Sequence, residues 1–284
     1  MLKSNHNKFF GLETPWDTAK TVLFGAPYDS TTSFRPGARF GPAAMRGESF
    51  GLESYSPYQD KDLYDCDDIL FDSGDLELPF GSPEPALALI EEQTDAILSA
   101  GKRPLMLGGE HLVALGAVRA AARHYPDLCL IHFDAHTDLR QDYLGSPLSH
   151  ATVIRRCWDL LGDNRIYQFG IRSGEKAEFM WGQAHTHLQK FDFTGLAEAV
   201  ATLAGKPVYF TVDLDVLDPS TFPGTGTPEA GGVDFSSLLA AFQSVGQLNI
   251  VGCDLVELAP IYDPSGRSTA IACKLLRELL LALC

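Results

Sequence analysis

Leu128-Cys129-Leu130-Ile131-His132-Phe133-Asp134-Ala135-His136-Thr137-Asp138 is the stretch on which the fold turns. A short, largely apolar run gives way abruptly to three potential ligands within five positions. Apolar residues without polar alternation, bounded by polar ones, read as a strand buried on both faces. The same figure recurs elsewhere. Residues 108–111 follow the apolar run 104–107, residues 213–218 follow 207–212, and residues 254–257 follow 248–253. Further runs cover 21–28 and 165–171, with weaker ones at 69–71 and 187–191. Amphipathic segments at 85–100, 112–124, 235–245 and 268–283 lie between and after them. Strand–helix alternation of this kind predicts an α/β three-layer sandwich, a mostly parallel sheet of about eight strands with helices on both faces. Open parallel sheets bind ligands at the carboxyl ends of their strands. The four polar clusters are therefore expected to converge on one rim.

The chain has 284 residues, 45% of them hydrophobic, with no low-complexity linker and no repeat at solenoid periods. A single domain over residues 1–284 is expected. The formal net charge of −15 speaks against nucleic acid, which needs a basic surface, and for a small cationic partner. Six cysteines show no CxxC pair and no framework spacing. Free thiols in a reducing compartment are the expectation. Residues 1–10 are polar, without the apolar core of a signal peptide, and no apolar run reaches membrane-spanning length. A soluble cytoplasmic protein with no membrane contact follows.

Alternation brings Asp134, His136 and Asp138 close together as their strand ends, a good half of a metal site. The plain alternative, an acidic turn with a helix-capping Asp, does not call for His132 and His136 beside Asp134. In Asp213-Leu214-Asp215-Val216-Leu217-Asp218-Pro219 two carboxylates leave a buried run, where they repel each other and are costly to desolvate. Cations would cancel that cost. An EF-hand loop fails, because the glycine and the closing glutamate are missing at their offsets. Asp218 suits a turn before Pro219. In Gly108-Gly109-Glu110-His111 the glycines permit a tight turn that aims His111 at the rim, and the GxGxxG of a dinucleotide loop is absent. Two histidines and four aspartates suit a pair of hard, roughly octahedral divalent ions such as Mn²⁺ better than Zn²⁺.

Taken together these clusters resemble the ureohydrolase family of arginases and agmatinases, the agmatinases most closely. The matching segments run in family order. They are Gly25-Ala26-Pro27-Tyr28-Asp29, Arg35-Pro36-Gly37-Ala38-Arg39-Phe40-Gly41-Pro42, the 108–111 and 134–138 clusters, Thr211-Val212-Asp213-Leu214-Asp215, Pro223-Gly224-Thr225-Gly226-Thr227-Pro228-Glu229-Ala230-Gly231-Gly232 and Asp254-Leu255-Val256-Glu257. The resemblance implies two Mn²⁺ ions, the first on His111 and Asp138, the second on His136 and Asp215, with Asp134 and Asp213 bridging. A hydroxide shared by the ions would attack the guanidinium carbon. Glu257 would hold the guanidinium in a forked, two-bond geometry, Asp138 would act catalytically, and His150 would shuttle a proton. His150 also fits a structural histidine at a helix start. Glu110, Leu112 and 151–153 depart from the commonest family pattern without removing a ligand.

Residues 139–149 look like the agmatinase version of the segment that in arginases contacts an amino-acid head group. The implied reaction is agmatine to putrescine and urea, with arginine, guanidinobutyrate or aminopropylagmatine as alternative substrates. Asp142, Tyr143 and Glu229 are candidate contacts for the distal ammonium, each equally readable as an exposed loop residue. The resemblance also implies a homo-oligomer, trimeric or hexameric. Rival classes are a one-metal zinc deacetylase and a binding protein that has lost activity.

Overall fold

The computed structural model describes residues 7–284. Residues 1–6, part of the polar N-terminal stretch, lie outside the described residues. In chain order the strands are β1 (Thr21–Ala26), β2 (Tyr55–Ser56), β3 (Lys61–Asp62), β4 (Leu70–Asp75), β5 (Arg103–Gly108), β6 (Cys129–Phe133), β7 (Ile166–Ile171), β8 (His187–Lys190), β9 (Pro207–Asp213) and β10 (Asn249–Val256). The α-helices are α1 (Gly41–Glu48), α2 (Pro83–Ser99), α3 (Ala114–His124), α4 (Val153–Leu161), α5 (Lys176–His185), α6 (Leu196–Leu203), α7 (Phe235–Val245) and α8 (Arg267–Leu283). Eight strands form one sheet in the order β4-β1-β5-β10-β9-β6-β7-β8, every neighbouring pair parallel. The three-layer α/β architecture expected from the runs is present.

Side-chain alternation splits the core in two. Ile131, Phe210 and Leu255 face a cluster closed by Met45 of α1, Leu203 of α6, Leu238 of α7 and Leu275 of α8. Leu130 and Tyr209 face the opposite cluster, closed by Leu87 of α2, Val118 of α3 and Ile154 of α4. Strands β1, β6, β7 and β9 are buried at every position, as parallel strands covered on both faces must be. Pro83 opens α2 and the Asp234 side chain caps α7 by accepting from Ser237 N at 2.7 Å.

Three expectations are corrected. The run 248–253 continues as strand through Val256, paired by β5 on one side and β9 on the other. Asp254 therefore lies inside the strand, and only Glu257 emerges from it. The segment 112–124 starts as a 3₁₀ turn, His111–Val113, before α3. Cys66 and Cys284 are joined as a disulfide, against the expectation of free thiols throughout. The pair is 218 residues apart in sequence, so only the fold, bringing the end of α8 beside the turn after β3, could reveal it. Cys129, Cys157, Cys253 and Cys273 are free and buried. Among the described residues no helix is long and apolar enough to cross a membrane.

Candidate active site

The four central strands, β5, β10, β9 and β6, deliver the clusters to one rim. At the end of β5 the chain passes so close to Tyr28 that a Cβ on Gly109 would stand 1.9 Å from the Tyr28 carbonyl oxygen. Only glycine fits there. The turn it permits is fixed by Gly109 N donating to Ala26 O and Glu110 N to Tyr28 O, both at 2.8 Å. His111 is thereby carried under the end of β6. Asp213 caps the 3₁₀ turn after β9 by accepting from Asp215 N at 2.8 Å, which brings both carboxylates to the same side.

The six expected ligands come together. His111 Nδ1 lies 3.0 Å from Asp134 Oδ2, 3.1 Å from Asp138 Oδ2 and 3.6 Å from Asp213 Oδ2. His136 Nδ1 lies 3.4 Å from Asp134 Oδ1 and 3.1 Å from Asp215 Oδ2. Asp134 thus turns one oxygen toward each imidazole. All are buried except His136, whose side chain is 25% exposed. Burial, with Asp134 next to it, pushes the Asp138 carboxyl up to about 7. Burial and the facing carboxylates Asp215, Asp134 and Glu257 push Asp213 well up. Asp134, although buried, is held below the usual range by His132, His111 and His136. Anions this crowded, without a Lys or Arg paired to any of them among the described residues, fit divalent cations as the missing counter-charge.

Glu257 follows β10 with φ of 65°, and Asp138 has φ of 52°. Both are in the left-handed region, which costs a residue with a Cβ about 1–2 kcal/mol. Glu257 Oε1 accepts from His111 N at 2.8 Å, and Oε2 lies beside Gly226, next to Thr227. Burial, with Glu110 close by, raises its pKa well above the ordinary glutamate value. A guanidinium would reverse that shift. A cleft of about 300 Å³ opens over His136, Asp138, His150, Thr227 and Tyr143, with Ser33 and Glu175 in its wall. His150 Nε2 lies 3.0 Å from Ser33 Oγ, and burial, with His136 and His111 nearby, lowers its pKa to about 4. Tyr143 stands edge-on to His150 at 6.1 Å between ring centroids. Asp142 accepts from Gly145 N at 3.2 Å and lines a neighbouring cavity. Glu229 offers its backbone oxygen to Arg172 at 2.7 Å and is not among the residues of the cleft wall.

The Thr31–Ser33 loop was not picked out from the sequence. Thr31 accepts from His150 N at 3.1 Å and donates to Glu110 Oε1 at 2.6 Å, and Thr32 donates to Glu110 Oε2 at 3.0 Å. Its only signal was position, between two of the family-like segments. Thr211, which opens a family-like segment, and Gln168 carry no signal of their roles, because single polar residues inside apolar runs resemble strand-face residues.

The profile of the arginase family matches residues 19–282. An agmatinase of Bacillus subtilis is 50% identical over 277 residues, 96% of this chain and 95% of that protein. A guanidinobutyrase of Pseudomonas aeruginosa is 35% identical, over 94% of this chain and 87% of its own length. A solved structure from Clostridium difficile superposes with a TM-score of 0.92 at 50% identity, covering 95% of this chain and 98% of that one. The chain belongs to the arginase family. It is an enzyme of the ureohydrolase kind, similar to the agmatinases in sequence.

Proposed function

We propose that this protein hydrolyses agmatine to urea and putrescine at a centre of two Mn²⁺ ions. The observation that carries this reading is Asp134, whose two oxygens face two different imidazoles, each joined by a further carboxylate. His111 and Asp138 would hold one ion and His136 and Asp215 the other, with Asp134 and Asp213 serving both. When bound, the ions supply the Lewis acidity that lowers the pKa of an attacking water toward neutrality. Identity of 50% to an agmatinase, against 35% to a guanidinobutyrase, supports agmatine.

The chain's own residues position the substrate and move its protons. Glu257, buried and without a Lys or Arg partner among the described residues, pairs with the guanidinium and aims its carbon at the water. Of the three contacts expected for the distal ammonium, Tyr143 is carried forward, because it lines the cleft. A carbon–oxygen bond forms and the bond to the alkyl-bearing nitrogen breaks. Asp138 takes the proton lost by the water and passes it, directly or by way of His150, to that nitrogen, which leaves as the amine of putrescine. We further read the protein as cytoplasmic, on its likeness to bacterial agmatinases, and as homo-oligomeric, on the family resemblance. Light scattering tests the assembly.

The test is urea release by metal-stripped protein given back Mn²⁺, with agmatine, arginine, guanidinobutyrate and aminopropylagmatine in parallel. Agmatine should give the highest kcat/KM, and turnover should require the metal. A preference for another guanidinium compound would overturn the substrate, and turnover by stripped protein would overturn the centre. Glu257→Gln should lower kcat/KM by roughly 10- to 100-fold, the worth of a hydrogen bond between charged groups. An unchanged kcat/KM would remove its role.

A further inference from the structure

One row of the sheet lies two residues before the strand ends that carry the bridging aspartates. Gln168 of β7 is in register with His132 of β6, His132 with Thr211 of β9, and Thr211 with Asp254 of β10. All four are buried. Two positions further along, on the same face by strand alternation, come Asp134 and Asp213. Polar groups buried in this way cost free energy unless each finds a partner.

The direction of each hydrogen bond can be read from groups whose role is fixed. The Thr137 carbonyl can only accept. It lies 2.9 Å from Gln168 Nε2, so that atom is the amide nitrogen. The same nitrogen faces His132 Nδ1 at 3.1 Å, so Nδ1 is bare and the imidazole hydrogen sits on Nε2. Nε2 in turn lies 2.8 Å from Asp134 Oδ2, and His132 donates to Asp134. At the other end Thr211 has one hydroxyl hydrogen, and Asp254 Oδ1 takes it at 2.6 Å. Thr211 Oγ1 must therefore accept from His111 Nε2–H at 2.9 Å, which leaves His111 Nδ1 to face the aspartates.

We propose that Gln168, His132, Thr211 and Asp254 form a positioning device that fixes two neighbouring imidazoles in opposite senses. His111 presents a bare nitrogen and binds metal. His132, although within ligand distance of Asp134 and His111, presents a hydrogen, holds Asp134 in place and stays out of the coordination sphere. Gln168 and Asp254 touch neither ion and act through the histidines. The inference rests on the two-ion reading given under Proposed function.

Mn²⁺ titration of metal-stripped protein by calorimetry, with metal content measured after dialysis, tests it. The wild type should take two equivalents. Thr211→Val removes the relay with little change of volume, and affinity for the ion on His111 should fall about 10- to 100-fold, the usual effect of losing such an outer partner. Thr211→Ser, which keeps the hydroxyl, should restore it. Gln168→Glu places an acceptor where a donor stood. His132 Nδ1 should then take the hydrogen and turn a bare nitrogen on Asp134, weakening both ions. Thermal melts identify the folded variants. Wild-type affinity in folded Thr211→Val or in folded Gln168→Glu would overturn the proposal, as would failure of Thr211→Ser to rescue. Should Thr211→Val not fold, Gln168→Glu decides. Fewer than two ions on the wild type would instead overturn the two-ion reading, so the two failures are told apart.

Discussion

The buried charges beside β4 and those at the rim are balanced in different ways. Beside β4, Arg46 of α1 meets Asp72 through Nε at 2.8 Å and Nη2 at 3.0 Å, and also pairs with Asp75. Asp72 accepts in addition from Phe9 N and Gly74 N, both at 3.0 Å. The chain supplies the cation and the donors there. At the rim it supplies carboxylates in excess: Asp134, Asp138, Asp213, Asp215 and Glu257 against His111 and His136, with no guanidinium or ammonium of its own paired to the aspartates among the described residues. Burial penalises unpaired charge in either place. The first arrangement settles that penalty within the chain and stabilises the fold. The second leaves it to a cation from outside, which is what makes the rim a site.

The largest expected effect breaks or upholds this contrast directly. Asp213→Asn removes one of the crowded anions. Urea release should fall at least ~10³-fold, the equivalent of several kcal/mol of lost electrostatic stabilisation. The metal-free form should melt at or above the wild-type temperature, because a repulsion is relieved. A metal-free variant markedly less stable than wild type would make Asp213 a structural residue and erase the contrast.

Arg46→Met should do the reverse. Its guanidinium is buried, with 2% of the side chain exposed, and removing it leaves Asp72 charged in the interior. Loss of about 3–5 kcal/mol in urea-induced unfolding is expected, with or without Mn²⁺. A loss under about 1 kcal/mol, the range of a surface pair, would show that the Arg46 group is not the balanced member of the comparison.

Adding the metal sharpens the same point. Mn²⁺ at a hundredfold its Kd should raise wild-type stability by about 2.7 kcal/mol per site. Arg46→Met should keep that increment and Asp213→Asn should lose most of it. Equal increments in both variants would place the ions elsewhere.

How much of this was legible in the sequence depended on where a residue's partners lie along the chain. The strand runs and the 134–138 cluster are local patterns, and the sheet and the rim followed from them. Asp254 was grouped correctly with Glu257 but placed at a strand end. Nothing local says that β5 and β9 flank β10 far enough to hold residue 254 inside the sheet. The Cys66–Cys284 disulfide and the Thr31–Glu110 contact join distant segments. The row from Gln168 to Asp254 is set by cross-strand register, which a single strand does not encode. Asp142 reads from its neighbours in sequence as a candidate contact for the distal ammonium or as an exposed loop residue, and its side chain turns back to Gly145 N. That is the ordinary behaviour of an Asp at a turn.

The smallest expected effect concerns His150, which borders the unbalanced group. Burial, with His136 and His111 adding positive charge, holds its pKa at about 4, below the ordinary histidine value of 6.5. The folded state thus binds this proton less readily than the unfolded chain. The contribution is fully present above about 6.5 and is lost as pH falls from there toward 4. His150→Asn removes that one titration. Between pH 7.5 and 5 the variant should therefore lose less unfolding free energy than the wild type, as measured in urea melts. If His150→Asn and wild type fall in parallel, the imidazole takes up its proton over the same pH range in the folded protein as in the unfolded chain. The rim would then tolerate an added cation of its own, and the imbalance that distinguishes it from the Arg46 group would be smaller than its carboxylate count implies.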